Sequence, residues 1–133
     1  MKIEHFAFNV KDPISMSKWY SEHLGLKTVK QVNEDPFTTF MADNSGRVMI
    51  EFYNNPADNV PRYGEMHPLL LHLAFVSEDP ASDKKRLLEA GATLVSEDKF
   101  EDGTHLLMLR DPWGFSIQFC KRGTPMLSNS ELS

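Results

Sequence analysis

Residues 2–10, KIEHFAFNV, alternate in polarity and are rich in Phe, Ile and Val, which predicts a strand. Asp12-Pro13 follows, an N-cap residue with proline at the first helical position, and starts a helix. Ile14, Met16, Trp19, Tyr20 and Leu24 are partly spaced for one helical face, and Gly25 is the stop. Two shorter strands are predicted over 26–32 and 36–42, around the turn Asn33-Glu34-Asp35-Pro36. Asp43-Asn44-Ser45-Gly46 reads as a turn by composition, and 47–54 (RVMIEFYN) as a fourth strand. The order is β-α-β-β-β. Residues 55–68 hold three prolines, two asparagines and a glycine, a linker long enough to carry function or cover a pocket. The order then repeats. A strand is predicted over 69–77. Asp79-Pro80 caps a helix through Leu87, Leu88 and Ala90, stopped by Gly91. Strands follow over 93–98, 104–110 and 115–121, the last after the turn Asp111-Pro112-Trp113-Gly114. From Gly123 to residue 133 the chain is polar and reads as a flexible tail.

The two halves are related by one offset. LLLHLAFVSEDP (69–80) repeats the opening IEHFAFNVKDP (3–13) without a gap. His5 becomes His72, Ala7 becomes Ala74, Phe8 becomes Phe75, Asp12 becomes Asp79 and Pro13 becomes Pro80, each 67 residues on. The same step carries Ile50-Glu51-Phe52 onto Ile117-Gln118-Phe119. A period this long with two copies implies a duplicated supersecondary module rather than a solenoid.

Side chains alternate across a strand with period two. Phe6, Phe8 and Val10 then oppose Ile3, His5, Ala7 and Asn9. Val48, Ile50 and Phe52 oppose Met49, Glu51 and Tyr53. Leu71, Leu73 and Phe75 oppose Leu70, His72, Ala74 and Val76, and Phe115, Ile117 and Phe119 oppose Ser116, Gln118 and Cys120. In each strand one face is large and apolar and should pack under a helix. The other holds smaller or polar groups with one candidate ligand near the middle: His5, Glu51, His72 or Gln118. The first three are good metal ligands and the amide is a weak one. Asn9, Met49, Tyr53 and Cys120 share these faces and are candidates for lining a substrate pocket, as is Trp113 in its turn. Among the other histidines, His23 ends the first helix, where a cation complements the dipole. His67 lies in the linker, and His105 sits early in the seventh strand with its parity open.

Composition narrows the classes. The chain has 133 residues, 41% hydrophobic and 25% charged, as for one globular domain over 1–122: module one 1–54, linker 55–68, module two 69–122. Its net charge of −5 argues against a nucleic-acid partner. No apolar run approaches the roughly 20 residues of a membrane helix, and the first residues enter a strand pattern rather than a signal-peptide core. The single cysteine, Cys120, excludes an internal disulfide and fits a cytoplasmic location.

A duplicated βαβββ module with His on the first strand, Glu on the fourth, His on the fifth and an acid or amide on the eighth resembles the vicinal oxygen chelate superfamily. HLAFVSEDP (72–80), LLEAGA (87–92) and RDPWGFSIQF (110–119) carry the resemblance, which spans residues 2–121. It implies an α+β fold in which two tandem βαβββ modules form a curved eight-stranded mixed sheet with helices on the convex face, and a dimer. Chain length and ligand order are most similar to bacterial lactoylglutathione lyases. That likeness implies one divalent metal ion (Zn, Ni, Co, Mn or Fe) held by His5, Glu51, His72 and Gln118, acting as a Lewis acid on two adjacent oxygens. Gln118 falls where the lyases have a glutamate. An amide has no basic oxygen, which leaves Glu51 as the candidate catalytic base at the centre.

The expected activity is that of a metal-dependent lyase or isomerase acting on a small substrate with adjacent oxygens. An alternative is a binding protein of the drug-sequestering kind, with inherited ligand positions. An extradiol dioxygenase ranks last, because the resemblance puts its carboxylate on the eighth strand, where this chain has Gln118.

Overall fold

The computed structural model describes residues 1–127, so most of the tail expected from Gly123, residues 128–133, lies outside the described residues. The chain divides into two compact units, Met1–Pro61 and Arg62 onward. The division falls inside the linker, whose first half belongs to one unit and second half to the other.

In the first unit β1 (His5–Asn9) leads into α1 (Pro13–Leu24), then β2 (Lys27–Gln31), β3 (Thr39–Ala42) and β4 (Met49–Tyr53). Sheet order is β1-β4-β3-β2, with β1 and β4 parallel and the rest antiparallel. The Asp12 carboxylate accepts from the Ser15 backbone N–H at 3.0 Å, which satisfies one of the free N–H groups of the first turn of α1. Gly25 ends that helix in the left-handed conformation, φ +72°. The helix lies on one face of the sheet and buries Met16, Trp19 and Tyr20 against Phe8, Met41, Ile50 and Phe52. Tyr20 meets Phe52 edge to face at 5.2 Å.

The second unit repeats this order. β5 (Leu73–Val76) leads into α2 (Pro80–Glu89), then β6 (Thr93–Lys99), β7 (His105–Arg110) and β8 (Ser116–Lys121), in sheet order β5-β8-β7-β6. Asp79 caps α2 as Asp12 caps α1, accepting from Ser82 N–H at 3.1 Å. Leu87 is fully buried, with Leu107, Leu109, Phe115 and Ile117 in the same core. Eight strands are present, as expected, and they are hydrogen-bonded as two four-stranded mixed sheets.

The duplication extends to strand register. Phe6 pairs with Ile50 and Leu73 with Ile117; Ala7 pairs with Glu51 and Ala74 with Gln118. Each pair is reproduced at the 67-residue offset. Residues 10 and 77 also repeat one closing bond: Val10 N–H donates to Tyr53 O at 2.8 Å, and Ser77 N–H to Cys120 O at 3.0 Å.

The predicted face assignments hold where a helix covers the sheet. Phe8, Val10, Ile50, Phe52, Phe115, Ile117 and Phe119 are buried. They fail at two strand starts. Phe6 is 55% exposed. The strand predicted from residue 69 begins only at Leu73. Leu70 N–H bonds back to His67 O at 2.9 Å, so Leu69 and Leu70 lie in a turn, with Leu71 after it. The three leucines are exposed rather than strand residues. The linker also holds one turn of 3-10 helix, Tyr63–Glu65, which the sequence pattern does not predict.

Candidate functional site

In the first unit two of the four predicted ligands come together. His5 opens β1 and Glu51 sits mid-way along the parallel neighbour β4, one diagonal step away in register. His5 Nε2 stands 3.5 Å from Glu51 Oε1. The other ring nitrogen is committed: Nδ1 donates to Glu4 Oε1 at 2.9 Å. In the neutral ring with its proton on Nδ1 toward Glu4, Nε2 is the nitrogen left to take a ligand on the side of Glu51. A carboxylate behind the imidazole fixes ring and tautomer. Phe40 of β3 closes one side, edge-on to the His5 ring at 5.5 Å. The sequence reading misses both Glu4 and Phe40. The parity of β3 places Phe40 on this face, since Phe40 pairs directly with Glu51. Nothing in the pattern marks Glu4, an exposed acid at a strand end.

Met49 and Tyr53 lie on β4 beside Glu51, half-buried, in register with His5 and Asn9. Asn9 uses its whole amide on the linker. Its Nδ2 donates to Asn55 O at 3.1 Å and Asp58 O at 3.2 Å, and its Oδ1 accepts from Asn55 N–H at 2.7 Å. It holds the 55–58 backbone as the rim of this face, where the sequence suggested a pocket-lining side chain.

In the second unit the equivalent positions hold His72 and Gln118. His72 lies just before β5, and its Nδ1 donates to the Pro68 carbonyl at 2.9 Å. As with His5, Nε2 is left with its lone pair. Gln118 is half-buried on β8, paired with Ala74 and Met108, and its Oε1 accepts from the Cys120 thiol at 3.4 Å. Burial pushes the Cys120 thiol above its ordinary pKa, and Arg122 opposes the shift weakly. Cys120 also lines an apolar groove of about 650 Å³, together with Ala74, Val76, Met126 and Leu127 and with the charged residues Lys121, Arg122 and Glu78. Residues 125–127, predicted as frayed tail, form one wall of this groove.

His105 pairs with Lys121 on β7, while the next residue, Leu106, pairs with Cys120. That parity turns His105 to the face opposite Gln118, where its Nε2 meets Glu97 Oε2 at 2.7 Å and Lys84 of α2 holds the other oxygen at 3.0 Å. It belongs to a helix-side ion cluster and not to the ligand face. Trp113 is half-buried in the β7–β8 turn, where its backbone N–H donates to Asp111 Oδ1 at 2.9 Å.

Among the described residues, no group of three or more His, Cys, Asp or Glu side chains is gathered to hold a metal ion within one cluster. Each unit by itself carries two donor groups of types that divalent ions accept: an imidazole and a carboxylate in the first, an imidazole and an amide oxygen in the second. Both imidazoles are fixed through Nδ1, the arrangement that frees Nε2 for a metal.

A tandem βαβββ chain with paired His/Glu and His/Gln positions defines a class of small proteins built on a duplicated ligand face. The chain belongs to the glyoxalase/bleomycin resistance protein/dioxygenase superfamily, whose family model matches residues 2–119. Among solved structures it is similar to a glyoxalase family protein from Bacillus cereus (19% identity, covering 90% of this chain and 93% of that one, TM-score 0.77). It is also similar to a lactoylglutathione lyase from Agrobacterium tumefaciens (20% identity, 91% and 93% covered, TM-score 0.65). A third similar structure is an antibiotic-binding protein from a Streptomyces species (17% identity, 90% and 93% covered, TM-score 0.69). At these identities the likeness is one of fold. No curated protein matches the sequence. Among the described residues no helix is long and apolar enough to cross a membrane.

Proposed function

We propose that this protein is a metal-dependent lyase or isomerase of the glyoxalase type, acting on a small substrate with two adjacent oxygens. The observation that carries the reading is the His5–Glu51 pair, with Nε2 of the imidazole facing the carboxylate and Nδ1 anchored on Glu4. His5, Glu51, His72 and Gln118 would hold one divalent ion; Zn, Ni, Co, Mn and Fe all suit such donors. Bound there, the ion would supply Lewis-acid polarisation of the substrate oxygens. Two neutral imidazoles, one carboxylate and one amide leave a divalent site with net positive charge, suited to an anionic or enolate-forming substrate. Glu51 would be the base: its carboxylate would take the proton from the carbon that bears the hydroxyl and return it to the neighbouring carbonyl carbon, while the hydroxyl proton passes to the neighbouring oxygen. Gln118 orients through its amide oxygen and moves no proton. Phe40 packs edge-on against the His5 ring, and Met49 pairs with His5 in strand register.

Each sheet ends in a short parallel strand, β1 or β5, with an open edge in its own sheet, and such edges favour pairing. A homodimer in the cytoplasm is the working form proposed here. The test of function is turnover of hemithioacetals formed from 2-oxoaldehydes and thiols, followed as thioester formation with each metal in turn. Metal-dependent product with wild type and none with Glu51→Gln supports the lyase reading. Product that is indifferent to Glu51 removes it.

The groove over Cys120 favours a second reading. Its apolar lining suits sequestration of a ligand with an apolar body, with Lys121, Arg122 and Glu78 as the charged residues at the groove. Tight binding of such compounds with no turnover under any metal would decide for this reading.

A further inference from the structure

The second half of the linker is strapped to the β7–β8 hairpin by one side chain. Arg110 Nη1 donates to Tyr63 O at 2.9 Å, Gly114 O at 3.0 Å and Ser116 Oγ at 3.3 Å, and Nη2 donates to Met66 O at 2.8 Å. Two contacts press the strap down further. The Tyr63 ring meets Phe115 at 4.9 Å. Gly114, at φ +86°, lies so close to the strap that a Cβ there would come within 2.8 Å of Gly64 Cα. Two residues beyond Met66 is the buried Pro68, whose carbonyl accepts from His72 Nδ1 at 2.9 Å.

We propose that Arg110 is a positioning residue for His72: it holds the 63–68 strap so that the Pro68 carbonyl locks the imidazole in the Nδ1–H tautomer and presents Nε2 as a ready ligand. This rests on the reading of His72 as a metal ligand. The two histidines of the duplicated site are thus oriented by unlike means. His5 takes its orientation from the adjacent Glu4 carboxylate, and His72 from the Pro68 carbonyl four residues earlier in the chain. The guanidinium suits the task because its planar fork spans acceptors on strap and hairpin at once. A lysine carries its three donors on one nitrogen, so it has no second nitrogen to hold Met66 O while the first holds Tyr63 O and Gly114 O.

The test is the tautomer of His72, read by long-range proton–nitrogen NMR on metal-free protein at mildly alkaline pH, beside zinc affinity from chelator competition. Wild type should show Nδ1–H at His72. Arg110→Lys, and independently Gly114→Ala, which displaces the strap while keeping Arg110, should both shift His72 toward Nε2–H. Zinc affinity should fall about tenfold or more, the scale seen when a ligand's outer partner is lost. Ser116→Ala removes one acceptor without touching the strap and should leave both readouts unchanged. His72 retaining Nδ1–H in both Arg110→Lys and Gly114→Ala overturns the proposal, whether or not zinc binds. A tautomer shift in a protein whose wild type binds no zinc confirms the lock and overturns the metal reading instead.

Discussion

His5 Nε2 faces Glu51 Oε1 across 3.5 Å, and the two side chains reach that distance from parallel neighbouring strands. The pairing follows from strand register: Glu51 is opposite Ala7, a residue with no bulk, which leaves the diagonal open for His5. Replacing Glu51 by Gln keeps the shape and removes the charge. Metal binding and turnover should fall together, with the melting temperature changed by only a few degrees. Metal content, initial rates and a thermal melt check this, and turnover persisting with metal bound would remove Glu51 as the base.

Glu4 holds the far side of the His5 ring. Glu4→Gln weakens a charge-assisted bond to a neutral one, and metal affinity should drop about tenfold with the fold intact. Chelator competition on the two proteins measures it. Equal affinities would make Glu4 a bystander.

The helix caps and most of the strand faces were legible because each depends on a local period or a local residue pair. Phe52 and Ile117 are buried, and His5 and Glu51 face each other, because alternation and one offset dictate it. What was not legible depends on where the chain bends. Leu69–Leu71 read as strand on hydrophobicity alone, yet His67 O and the Pro68 turn divert that run into solvent. His105 could not be assigned a face until the pairing of Leu106 with Cys120 set the parity. Arg110 sits in a recognised hairpin motif, but two of its acceptors, Tyr63 O and Met66 O, are backbone carbonyls more than 40 residues away, which no spacing rule reveals.

The helix caps test the duplication energetically. Asp12→Ala and Asp79→Ala each remove one carboxylate-to-N–H bond at equivalent positions. Each should cost about 1 kcal/mol, measurable by urea unfolding. Phe52, 1% exposed under Tyr20, sets the contrast: Phe52→Ala should cost about 3–5 kcal/mol. A cap variant as damaging as the core variant would mean that the helix ends do more than cap.

Lys84 and His105 flank Glu97 and hold its carboxyl below its ordinary value of 4.5, Lys84 contributing more, while desolvation works weakly the other way. A lowered folded pKa stabilises the fold fully above the unfolded value and loses that stabilisation as pH falls through the folded one. Wild type should therefore lose stability on acidification below about pH 4.5, and Glu97→Gln should flatten that limb. Melting temperatures across the acid range, for both proteins, decide it. Parallel curves would place the acid sensitivity elsewhere.

The most direct measurement of the central claim is the metal content of untagged protein by mass spectrometry, with His5→Ala/His72→Ala as the control. About one divalent ion per chain in wild type, lost in the double variant, is the result that follows if the two half-sites act as one metal centre. No ion in wild type after incubation with Zn, Ni, Mn and Fe(II), or an ion retained when both histidines are gone, would contradict it.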